Sequence, residues 1–199
     1  MYNYTEQLIP GGTYHVYSRA NGFEKVFKSA DNYRFFLKKY ELYISPIAKT
    51  FCYCLMPNHF HFLIEVREKK DIDKVTNANT RKSQVADRGD IASQQFSKLL
   101  NCYAKAFNKQ QGRKGNLFIR PFKRKKISSE SYLRNVIQYI HRNPIEAGFC
   151  FNLSDWKYSS YSQLLNNTNP RLDRNKVIQL FGDVDNFTFV HQNSPIPDR

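Results

Sequence analysis

What the 199-residue chain lacks narrows its function before any motif is considered. It has no C-x-x-C pair; its four cysteines are Cys52, Cys54, Cys102 and Cys150. Cys52 and Cys54 lie two apart in an expected strand, so they point to one face and do not readily bridge each other. A zinc knuckle is therefore disfavoured, and reduced thiols in a cytoplasm fit best. No apolar run approaches the ~20 residues that span a bilayer. The opening Met1-Tyr2-Asn3-Tyr4-Thr5-Glu6 does not read as a signal peptide, so the expectation is a cytoplasmic protein without a membrane partner. Acidic residues are also scarce: 17 Asp+Glu face 31 Lys+Arg, leaving a net charge of +14. A surplus of that size on a small domain is the electrostatic footprint of a polyanion binder.

The apolar content is sufficient for a core. Sixteen Phe and 13 Tyr supply large, rigid bodies, which excludes disorder of the whole chain. Residues 13–20, after Gly11-Gly12, read as a strand. Ser29 then caps a helix whose Tyr33, Phe36, Leu37, Tyr40 and Ile44 recur at helical spacing until Pro46. Strands over about 49–56 and 59–66 are joined by the tight Pro57-Asn58 turn. Residues 67–90 carry scarcely an apolar anchor and read as a mobile loop. Asp90 can cap a second helix, with Phe96, Leu99, Leu100, Tyr103 and Phe107 inward and Gly112 at its end. Residues 117–126 begin as a strand and finish as a basic run. Ser129 caps a third helix over 129–143, closed by Pro144. A last short helix near 173–181 and a polar tail follow.

This order predicts an α+β, ferredoxin-like β-α-β-β-α-β antiparallel sheet with an added C-terminal helix and tail. Residues 1–150 form the expected main domain, and 151–199 an extension packed on it.

The sharpest local feature is Met56-Pro57-Asn58-His59-Phe60-His61-Phe62. Strand residues two apart share a face, so both imidazoles project together, ~6.5–7 Å apart at Cα. Neutral imidazole is the commonest side-chain ligand for metals, but two ligands do not make a site. Asn143 on the third helix offers an amide oxygen. Tyr139, four residues earlier on the same helical face, offers a phenol that can act as a nucleophile. Glu65, on the strand face of His59 and His61, is the rival third ligand. His141, two residues from both Tyr139 and Asn143, faces elsewhere and reads as a phosphate contact or a surface residue. The basic run Arg120, Lys123, Arg124, Lys125 and Lys126, together with Arg19 and Arg142, supplies candidate nucleic-acid phosphate contacts. Aromatic residues among basic ones suit a single strand.

Taken together, these motifs resemble the single-tyrosine transposases with a His-hydrophobic-His motif, and among them the REP-associated tyrosine transposases. The likeness runs through Gly11-Gly12-Thr13-Tyr14-His15-Val16, Tyr53 to His61, Phe118 to Phe122, Tyr139 to Pro144 with Ala147-Gly148, Trp156, and Ser159-Ser160-Tyr161. It spans roughly residues 10–165. The resemblance implies that His59, His61 and Asn143 hold Mg²⁺ or Mn²⁺ and that Tyr139 attacks DNA to form a 5′-phosphotyrosine link. It also implies single-stranded or hairpin DNA as partner and either a monomer or a homodimer. Two positions depart from the pattern: Ile119 stands where relatives often carry Gln, and Tyr158 where Trp is frequent. Neither is expected to touch the chemistry. The rival from another class is a non-catalytic nucleic-acid-binding module built like an RNA-recognition domain, which stacks bases on its sheet. A hydrolytic nuclease ranks third.

Overall fold

The computed structural model describes residues 6–72 and 91–193. In chain order these form β1 (Thr13–Arg19), α1 (Ala30–Tyr43), β2 (Ala48–Met56), β3 (His59–Val66), α2 (Ile91–Gln110), β4 (Lys123–Lys126) and α3 (Glu130–Glu146). A 3₁₀ turn (Leu153–Asp155), α4 (Tyr161–Leu165), α5 (Arg174–Phe181) and α6 (Val184–Asn193) follow. The sheet runs β2-β3-β1-β4 with every neighbouring pair antiparallel, which is the expected ferredoxin-like arrangement.

Local chemistry explains most boundaries. Ser29 accepts from Asn32 N and Asn32 Oδ1 accepts from Ser29 N, a reciprocal cap that satisfies orphan donors at the start of α1. Ser129 accepts from Tyr132 N at 3.2 Å at the start of α3. Gly112, at φ +60°, follows the end of α2, where a residue with a Cβ would be strained. The expected loop over 67–90 turns helical at 69–72, and Ile72 is buried there. Asp90 and the rest of that segment lie outside the described residues.

Two boundaries differ from expectation. Residues 117–119 are not a regular strand. They touch the end of β1 through an Ala20–Phe118 bridge and the Ile119 N–H to the Arg19 carbonyl, and pairing resumes only beyond Pro121. Proline cannot donate to a ladder. The basic run itself is the edge strand, and charged side chains on an edge discourage pairing with another chain. The third helix runs past Pro144 to Glu146, because proline removes only one bond there. The carbonyls of Asn143 and Pro144 still accept, from Ala147 and Phe149.

The strand period of two separates the faces of β3. Phe60 and Phe62 enter the core, with Phe36 of α1 at 5.3 Å from Phe60 and 5.1 Å from Tyr103 of α2. Truncating such a ring costs about 3–5 kcal/mol. His59 and His61 point to the opposite face, under α3. The segment after α3 covers the outer edge of β2: Leu55 N donates to Tyr158 O, and Tyr53 N to Ser160 Oγ. Leu164, Val177 and Phe187 from this segment join the same core.

Candidate active site

His59 and His61 meet α3 where the spacing of Tyr139 and Asn143 places them on its inner face. The Tyr139 ring stands edge-on to His61 at 5.5 Å between centroids, and the His59 and His61 rings are 5.0 Å apart. Asn143 is 8% exposed. Its Nδ2 donates to the Tyr139 backbone carbonyl at 2.7 Å, and its side chain interacts with His59. These four side chains line one open cleft of about 650 Å³. All of them come together within one chain.

Hydrogen bonds orient both histidines alike. His59 Nδ1 lies 2.7 Å from Asn58 Oδ1, an atom that can only accept, so the His59 proton sits on Nδ1. His61 Nδ1 lies 2.8 Å from His15 Nε2. In both rings it is Nδ1 that meets these neighbours, and Nε2 is the other ring nitrogen. Burial pushes the His59 imidazole below its ordinary range, its bond to Asn143 opposes this, and the Arg19 charge adds to the lowering. An imidazole kept neutral is one that can ligate.

His15 is a site residue that the local pattern did not single out. It is 7% exposed and pushed down to about 3, first by burial and then by the charge of Lys125. It stacks on Tyr17 at 4.8 Å and meets the Tyr139 ring edge-on at 6.1 Å. Glu146, seven residues beyond Tyr139, also lines the cleft and adds a carboxylate. The i, i+4, i+7 spacing on α3 was the available signal for it.

Other expectations are corrected. Glu65 does not line the cleft. Burial pushes its carboxyl up, but Lys176 and Lys49 more than offset this by pairing with it, and Glu65 is engaged away from the cleft. His141 is neither a surface residue nor a phosphate contact. It is fully buried, bonded to His191 Nε2 and Ser160 Oγ, both at 2.9 Å, and burial, then His191, holds it well below its usual range.

The basic residues divide by strand alternation. Arg19 and Lys123 line the cleft, and Lys125 pairs opposite His15 on the same sheet face. Arg124 and Lys126 alternate to the other face, with Arg124 bonded to Glu6 O and lying over Phe122. Arg120 bonds to Asn101 on the α2 side, and Arg142 donates to His191 O. Ile119 lines the cleft, so an apolar side chain stands at the site there. Tyr158 stacks on Tyr33 at 3.5 Å, away from it.

Among the described residues no three His, Cys, Asp or Glu side chains converge as a metal cluster. No described helix is long and apolar enough to cross a membrane.

No family model matches the chain. A Haemophilus influenzae protein described as a REP-associated tyrosine transposase is 29% identical over 115 residues, 57% of this chain and 58% of that protein. A solved structure of a REP-associated tyrosine transposase bound to a REP hairpin superposes with a TM-score of 0.60, over 86% of this chain and 90% of that one, at 19% identity. The chain has the fold of the REP-associated tyrosine transposases. The sequence match covers less than two thirds of the Haemophilus protein's length. An RNA-recognition sheet binds bases on a bare face, whereas here α3 packs over β2 and β3 on that face and brings Tyr139 against His61.

Proposed function

We propose that the chain is a single-strand DNA transposase or strand transferase. It cleaves and rejoins a phosphodiester through Tyr139, with His59, His61 and Asn143 holding Mg²⁺ or Mn²⁺. The observation that carries this reading is the meeting of Tyr139 with two histidines of matching orientation in a cleft that also holds Arg19 and Lys123.

The donor set fits a divalent cation: two imidazole nitrogens, each with its other nitrogen tied to a neighbour, and one amide oxygen. A bound cation supplies Lewis-acid polarisation of the phosphate and stabilises charge on the leaving oxygen. Arg19 and Lys123 bind phosphates beside the scissile one. Tyr139 Oη attacks phosphorus, an O–P bond forms, and the bond to the 3′-oxygen breaks. The 3′-oxygen departs and takes a proton from solvent to become a hydroxyl, and the phenolic proton passes to solvent. The 5′-phosphate stays on Tyr139, so attack by a 3′-hydroxyl reverses the step and rejoins strands without ATP.

The hairpin held by the similar solved structure supports a hairpin or single-stranded substrate. The four free cysteines support a reducing, cytoplasmic setting. The test is incubation with single-stranded hairpin DNA and Mn²⁺. A covalent protein–DNA adduct that Tyr139→Phe loses supports the reading. Binding without an adduct points to a non-catalytic module, and cleavage without one to a nuclease.

A further inference from the structure

Hydrogen-bond direction in the cleft assigns a role to His15. In the β1–β3 register Tyr17 stands opposite His61 and His15 opposite Leu63, so His15 lies diagonal to His61 on the same sheet face. A diagonal neighbour is within reach of a ring. His15 Nε2 is 2.8 Å from His61 Nδ1, with ring centroids 5.0 Å apart and planes 28° from each other. Across an N–N contact of 2.8 Å one nitrogen must donate and the other accept. If His15 donates, His61 carries its proton on Nε2 and has no lone pair for a cation there. If His61 donates, Nε2 is the lone-pair nitrogen, matching the arrangement that Asn58 imposes on His59.

We propose that His15 is a positioning residue: it accepts the Nδ1 proton of His61, fixing the tautomer and ring plane in which His61 offers Nε2 to a divalent cation. This rests on the metal-binding role proposed above. Because His15 is buried, bulk water does not readily replace it as the acceptor. Acceptors behind ligating histidines typically contribute about 10–100-fold in metal affinity.

Two variants separate the acceptor from the shape of the side chain. His15→Phe keeps a ring but has no acceptor. His15→Gln keeps an acceptor near the Nε2 position. Calorimetric titration with Mn²⁺, without DNA, is expected to give a dissociation constant about 10–100-fold weaker for His15→Phe and largely recovered for His15→Gln. Ring-nitrogen NMR, which needs no metal, is expected to show His61 with its proton on Nδ1 in the wild type and as a tautomer mixture in His15→Phe. The proposal is overturned if His15→Phe binds Mn²⁺ within twofold of wild type, if it leaves the His61 tautomer unchanged, or if a folded His15→Gln is as weak as His15→Phe. Equal Mn²⁺ binding by wild type and His61→Ala instead removes the metal reading, and the tautomer measurement then decides alone whether His15 orients His61.

Discussion

His141 Nδ1 lies 2.9 Å from His191 Nε2, joining the helix that carries Tyr139 to the last described helix. The bonds have a consistent direction. His191 Nδ1 donates to Phe187 O at 2.8 Å, so His191 Nε2 accepts from His141 Nδ1, and His141 Nε2 lies 2.9 Å from Ser160 Oγ, whose hydroxyl also reaches Tyr53 O at 3.2 Å. Ser160 Oγ in turn accepts from Tyr53 N on β2. Three elements distant in sequence are thereby held behind α3, with both rings buried and kept neutral.

This arrangement makes stability depend on acid. His191 is pushed down to about 4, chiefly by burial, opposed by its bond to Phe187 O and lowered further by Arg142. The unfolded chain, with an ordinary histidine near ~6.5, binds more protons than the folded one, so stability rises with pH. The contribution is complete above ~6.5 and is lost as pH falls towards 4. His191→Gln keeps a donor and an acceptor but does not titrate. In urea denaturation its loss of stability between pH 7.5 and 5 should be smaller than the wild type's by ~2 kcal/mol. Identical losses would refute the assignment.

The third ligand can be decided by substitution. Asn143→Ala should lower strand cleavage by about 10–100-fold, the usual cost of losing a group at a metal site. Glu65→Gln should cleave like wild type and lose at most ~1 kcal/mol of stability, because its partners Lys49 and Lys176 are partly exposed. Loss of cleavage in Glu65→Gln alone would reverse this assignment. Gel-based cleavage and thermal unfolding of the two variants measure both effects.

Alternation along β4 predicts which basic residues matter. Lys123→Ala and Arg19→Ala should each flatten the slope of log affinity against log salt by about one on single-stranded hairpin DNA. Lys126→Ala, on the other sheet face, should leave the slope nearly unchanged. Fluorescence anisotropy over a salt series measures it, and equal effects at Lys123 and Lys126 would count against the cleft as the DNA path.

Chelator should abolish adduct formation, and Mn²⁺ should restore it at lower concentration than Mg²⁺, since imidazole ligands favour the softer ion. Full activity in excess chelator would remove the cation from the mechanism.

Local pattern alone determined much of this protein. Alternation set Phe60 and Phe62 against His59 and His61, serine caps started α1 and α3, and helical spacing put Tyr139 and Asn143 on one face. Each depends on residues within a turn or a strand of one another. Tertiary structure alone decided the rest. His15 reaches His61 across 46 positions, and the partner that removes Glu65 from the site, Lys176, is 111 positions away. His141 is buried because α6 packs behind α3, and the basic run divides because it pairs with β1 rather than forming a continuous patch. Strand register and helix docking are non-local, and no short-range spacing encodes them. His59 and His61 could be read from sequence as a pair of imidazoles, but only packing could show what orients them.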